Sequence, residues 1–173
     1  MTAARRRFAL RERTAPAHAA LDAAVGPLDT VPAYERYLRG IHAFRAPVEA
    51  ALAAAADRPA PIAALVAADL EAAGIAPPPV GRFDLPEGRS ALAGVAYVLE
   101  GSALGARLLH RQALALGRAP LHLAAQAAPS RAWAGFCARL EALDPFDADE
   151  AAGAALATFG FALAAFAAET SDA

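Results

Sequence analysis

Arg11, Thr14, His18 and Leu21 stand 3, 4 and 3 positions apart, the spacing that brings side chains onto one stripe of an α-helix. A neutral imidazole can ligate a metal, and a guanidinium suits a carboxylate or phosphate. Two helical turns separate His18 from Arg11, about 10 Å at 1.5 Å per residue. The other reading of His18 is a partly buried histidine that bonds a backbone carbonyl. Pro16 lies between the two, removes one helical hydrogen bond, and allows the regular helix to begin only near Thr14.

A second group is the run Glu100-Gly101-Ser102-Ala103-Leu104-Gly105-Ala106. An interior glycine costs about 1 kcal/mol relative to alanine in a helix, and this chain uses alanine at 54 of 173 positions. A methyl group is therefore excluded at Gly101 and Gly105 for a reason. The spacing strips one helix face, so that another helix or a flat ligand can approach the backbone. Glu100, Arg107 and Arg111 flank the run and argue against a membrane dimerisation motif.

Phe159 and Phe166, seven apart, form an aromatic stripe with Phe161 off it, and Trp133 with Phe136 precede them. Core packing explains these without any ligand. His42, His110 and His122 have no second His or Cys at ligand spacing. Walker, nucleophile-elbow, zinc-protease and dinucleotide fingerprints are absent.

The elements that must carry these groups are helical. Proline and glycine divide the chain into about seven segments, and none alternates with period 2. The first spans about Ala3 to Ala24. Thr30 caps the next, with Pro32 in its first turn, running to about Ala56 past a kink at Pro47. A third spans about Pro61 to Ala73 and stops at Gly74. Ile75 to Gly88 holds four prolines and reads as the one long loop. A single long helix is expected from about Arg89 to Leu116, then short segments over Leu121–Ala127 and Arg131–Leu143, the latter capped by Ser130. The last helix runs from about Phe146 to Glu169. The fold class is all-α, one helical bundle over residues 1–173 with interrupted helices.

Composition narrows the function. The chain carries 16 basic residues, all Arg, against 18 acidic ones, a net charge of -2; no positive excess is available for a phosphate backbone, and no nucleic-acid partner is expected. One cysteine, Cys137, excludes an intramolecular disulfide and fits a reducing compartment. Arg11, Glu12 and Arg13 occupy the place of a signal peptide's apolar segment, so a cytoplasmic location is expected. The apolar tract Ala151 to Ala168 is alanine-rich and reads as a core helix, with no membrane partner.

The residues Leu10-Arg11-Glu12-Arg13-Thr14-Ala15-Pro16-Ala17-His18 resemble the opening motif of heme oxygenases. Tyr97-Val98-Leu99-Glu100-Gly101-Ser102-Ala103-Leu104-Gly105 is similar to their distal helix, above all in the bacterial, phytochrome-associated type. Thr158-Phe159, followed by Phe166 and Glu169, is similar to the last-helix pattern. The resemblance implies a haem b between the first helix and the glycine-containing helix, with His18 as iron ligand. Arg11, Thr14, Tyr97, Phe159 and Phe166 would contact the cofactor, Arg11 at a propionate and Tyr97 near one. The 10 Å between Arg11 and His18 is comparable to the distance from a haem iron to its propionates. Gly101, Ser102 and Gly105 would form the catalytic wall.

Family members oxidise haem with O2 and electrons from a ferredoxin or reductase to biliverdin, CO and ferrous iron, so haem is substrate and cofactor at once. A bacterial phytochrome is the implied biliverdin acceptor. A neutral histidine lacks the push of a thiolate ligand, and a bare distal face leaves room for O2 to lie along the ring. The mammalian branch has Asp after the first distal glycine, where this chain has Ser102, and some bacterial members have a polar residue next, where it has Ala103. Arg107 and Arg139 are candidates for a further propionate contact. The alternatives are a carrier or sensor that binds haem or another tetrapyrrole without degrading it, and a helical interaction module without a cofactor.

Overall fold

The charge-free, alanine-rich tract near the C-terminus becomes the axis of the molecule. The computed structural model describes residues 5–171. Among them are eight helices and no strand: α1 Arg5–Val25, α2 Val31–Ala51, α3 Ala63–Ala72, α4 Arg89–Ser102, α5 Ala106–Ala115, α6 Leu121–Ala127, α7 Ala132–Ala142 and α8 Ala148–Ser171. α1, α2 and α4 all pack against α8. Small side chains permit this, since Ala151, Ala152, Ala155 and Ala162 of α8 are fully buried. α8 and the α4–α5 stretch are long and apolar enough to cross a membrane by length and composition, and packing against three helices accounts for the apolar character of α8.

Two glycines make those seams close. A methyl on Gly94 would overlap the Ala151 carbonyl of α8, and one on Gly40 of α2 would overlap the Phe166 ring. A shared core runs through Leu38, Val48, Val66, Leu70, Val95 and Phe159, and a second cluster joins Leu10, Ala96, Phe136, Leu140, Ala151 and Ala152.

The local signals behave as their chemistry dictates. Thr30 Oγ1 accepts from the Ala33 N–H at 3.3 Å, and Pro32 lies in the first turn of α2. Gly74, at φ +70°, closes α3, with the Ile75 N–H reaching back to the Leu70 carbonyl at 2.9 Å. Pro16 and Pro47 both sit inside continuous helices. Ser130 Oγ accepts from the Ala132 N–H at 3.0 Å before α7.

Three expectations are corrected. The described residues form eight helices, because the long helix expected over Arg89–Leu116 is two, broken at Ala103-Leu104-Gly105. There the Ala103, Leu104 and Ala106 N–H groups bond three residues back, to Glu100, Gly101 and Ala103 carbonyls, and the helix tightens and turns. α2 ends at Ala51, not Ala56. The cause is tertiary: Glu49 accepts the Ile62 and Ala63 N–H groups at 2.9–3.1 Å, so the chain must turn back to let α2 cap the start of α3.

A polar clip joins α3 to α6. Asp69 accepts from the Leu121 N–H at 2.7 Å, the His122 N–H at 3.1 Å and His122 Nδ1 at 2.5 Å. His122 Nε2 accepts from the Tyr37 hydroxyl at 3.1 Å. Burial alone would raise the Asp69 pKa, but the hydrogen bonds from His122 and Leu121 outweigh it and hold the carboxyl below its ordinary value. His122 is fully buried and committed on both ring nitrogens, which makes it a structural histidine.

Candidate functional site

α1 and α4 flank α8, and contacts along α8 set their registers. Asp147 donates its N–H to Ser90 Oγ at 2.9 Å, and Gly94 lies against Ala151 and Ala155, so α4 runs parallel to α8. Leu10 clusters with Ala151 and Ala152, and the His18 ring meets Phe159 edge-on at 5.8 Å, so α1 runs the same way. Seven residues beyond Gly94, about 10 Å along the axis, Gly101 reaches the level of Phe159 and His18. The two motifs singled out in the sequence thus stand at one height on two sides of α8.

His18 is accessible, with its side chain 60% exposed. Nδ1 lies 3.0 Å from the Asp22 carboxylate one turn on. A carboxylate on Nδ1 selects the tautomer that leaves Nε2 with its lone pair outward, the arrangement found around metal-bound histidines. The backbone-carbonyl reading of this ring is replaced by Asp22. Sequence reasoning missed Asp22, although the i, i+4 spacing was present to read.

Gly101 and Gly105 differ from Gly94 and Gly40. A Cβ on Gly101 would meet only Trp133, at an ordinary 3.8 Å, and one on Gly105 only the Ser102 carbonyl at 3.9 Å. Neither has positive φ. Close helix packing, one explanation for the pair, is therefore absent: the fold itself has room for a methyl at both positions. The packing glycine of α4 is Gly94.

Ser102 is tied into the break. Its hydroxyl donates to the Leu99 carbonyl at 2.7 Å and accepts from Arg45 Nη1 at 3.4 Å and Gln126 Nε2 at 3.3 Å. Its one proton is directed at backbone. Arg45, missed in the sequence because nothing near it in the chain marks it, is 1% exposed and pairs with Glu49 at 2.7 Å.

Arg11 is exposed and makes no ion pair among the described residues. Thr14 is buried, its hydroxyl donating to the Leu10 carbonyl at 2.8 Å. Tyr97 is half-buried in an aromatic group with Trp133 at 5.9 Å and Phe136 at 6.5 Å. Phe159 is brought to His18, but Phe166 is not: it packs against Gly40 and stacks on Tyr37 at 6.2 Å in the α2–α8 seam. Arg107 donates to the Ala127 carbonyl at 3.3 Å. Arg139 acts electrostatically on Glu100, whose pKa is raised by burial and partly restored by Arg139 and Arg45.

These residues offer an exposed imidazole whose Nδ1 faces Asp22, two glycines with room for a methyl on the neighbouring helix, and an exposed cation two turns from the imidazole.

No protein-family model and no curated protein sequence matches the chain. Among solved structures, the NO- and CO-bound heme oxygenase from Neisseria meningitidis is similar, with a TM-score of 0.76 and 26% identity over 94% of this chain and 90% of that one.

Proposed function

We propose that the chain is a heme oxygenase, like the Neisseria meningitidis protein whose fold it resembles, and that it cleaves haem oxidatively to biliverdin, CO and ferrous iron. The observation that carries the reading is that Gly101 and Gly105 each have room for a methyl that they lack. Alanine would fit both positions in this fold and, at Gly101 inside α4, would improve the helix by about 1 kcal/mol, which is the ground for reading the missing methyl as clearance for something that lies against α4 during function.

Haem supplies the redox iron and the ring that is oxidised. The protein's own residues do the rest. His18 presents Nε2 as a neutral ligand, and Asp22 holds Nδ1–H and stops the ring from turning. Phe159 backs the imidazole edge. Gly101 and Gly105 let the backbone of the opposite wall approach the ring and leave a shallow space for O2. Arg11, exposed and without an ion pair among the described residues, would pair with a propionate at the rim. Tyr97 lies beside Gly101 through Trp133 and closes one edge of the cleft, and Thr14 sets the wall of α1 without offering its proton. In this arrangement Phe166 supports the site from the core through the α2–α8 seam.

Electrons come from an external donor such as a ferredoxin or reductase, and a bacterial phytochrome is a fitting acceptor for the product. The chain acts in the cytoplasm. One observation favours the reading of a haem-binding protein that leaves its ligand intact: the Ser102 proton is committed to Leu99, and water held by the backbone carbonyls of the break must then deliver protons.

The ligand assignment is tested by His18→Ala. Haem titration of that variant should lose the ligand-dependent Soret position and all turnover while far-ultraviolet circular dichroism keeps its helical signal. An unchanged Soret position and rate would remove His18 from the site.

A further inference from the structure

The break between α4 and α5 leaves a carbonyl without its helical partner. In an uninterrupted helix the Ala103 N–H would bond Leu99 O, but here it turns to Glu100 O. Leu99 O is instead taken by the Ser102 hydroxyl at 2.7 Å and by Arg45 Nη1 at 3.4 Å. The same Nη1 reaches Ser102 Oγ at 3.4 Å, Nη2 donates to Ala60 O at 3.4 Å, and Nε is held by Glu49 at 2.7 Å. One buried guanidinium therefore spans α2, the turn before α3, and the break.

Replacing a buried ion pair by well-packed apolar residues is often neutral or stabilising, so its retention is weak evidence for stability and stronger evidence for specifying one geometry. The fork of N–H donors is what matters, because an ammonium cannot reach carboxylate, hydroxyl and two carbonyls at once.

We infer that Arg45, anchored by Glu49, is the positioning residue of the distal wall: it holds the Leu99–Ser102 corner and so sets where α4 stops and how the Gly101–Gly105 backbone is presented to the ligand. The inference rests on the proposed haem reading for its functional consequence, but not for its structural one. Arg45 touches no ligand; it acts through Ser102 and Leu99 O.

The test compares wild type with Arg45→Lys, Ser102→Ala and the double variant Arg45→Met/Glu49→Leu, which leaves no unpaired buried charge if the single change fails to fold. In haem-free protein, amide hydrogen exchange at residues 103–106 should quicken by about tenfold or more in all three, the effect of losing one or two ordinary hydrogen bonds, while α8 amides stay within about twofold throughout and α3 amides do so in Arg45→Lys and Ser102→Ala, which keep the Glu49 cap of α3. In the ferrous CO complex, the C–O stretching band should shift or broaden in Arg45→Lys and Ser102→Ala, with the His18-dependent Soret position retained. Unchanged exchange and an unchanged band in folded Arg45→Lys would overturn the inference, and so would a uniform rise across every helix, which would make Arg45 a general support. A wild type that binds no haem would overturn the haem reading alone, with the exchange arm still deciding the role of Arg45.

Discussion

Asp22 and Arg11 show how much one side chain can decide. Asp22 stands 3.0 Å from Nδ1 of His18, and a carboxylate there orients an imidazole and strengthens its other nitrogen as a metal ligand. Asp22→Asn should keep the fold and lower haem affinity or turnover about 10- to 100-fold, as loss of an outer-sphere partner commonly does, and resonance Raman should show a weakened iron–histidine stretch. An unchanged stretch would mean that the carboxylate is a surface contact only. Arg11 acts on orientation instead. A rim ion pair contributes about 0–1 kcal/mol, too little to set affinity but enough to bias in-plane rotation of a nearly symmetric ring. Arg11→Ala should therefore change affinity modestly and broaden the biliverdin isomer pattern on chromatography; an unaltered pattern would assign orientation to Phe159 and the walls.

Among the elements, α4 carries two glycines with opposite meanings, and substitution separates them. Gly101→Ala should raise the melting temperature of haem-free protein, by about 1 kcal/mol of helix propensity, yet impair turnover. Gly94→Ala should destabilise by about 1–3 kcal/mol, because its methyl meets the Ala151 carbonyl and the backbone must shift. If both lose stability alike, Gly101 is a packing residue.

The α3–α6 clip gives a separate prediction. Asp69 titrates below its ordinary value of 3.8 in the folded chain, so its contribution is fully present above that value and is lost as pH falls below it toward the folded pKa. Asp69→Asn should cost about 1–3 kcal/mol at neutral pH and flatten this part of the acid limb of stability.

The ends of α2 and of α4 also mark what the sequence alone could carry. Thr30, Gly74 and Gly117 act locally, by capping or by positive φ, and such signals are readable residue by residue. Glu49 capping α3 and Arg45 satisfying Leu99 O act across many intervening residues, so the early end of α2 has no local signature, and the break after Ser102 has only the glycines around it. The same division runs through the site. Type and spacing single out His18 and the glycine pair as candidates, while Phe166, on the Phe159 stripe, is diverted to the core by the space at Gly40.

At the scale of the whole molecule, α8 acts as a ruler against which α1 and α4 are registered, and the level shared by His18, Phe159 and Gly101 follows from contacts far below it, at Leu10, Ser90 and Gly94. The most direct test is a haem titration followed by ascorbate in air with catalase present. The account predicts a Soret band at one haem per chain that decays under reductant as bilin absorption grows. A Soret band that persists under reductant, or no Soret shift on adding haem, would contradict it.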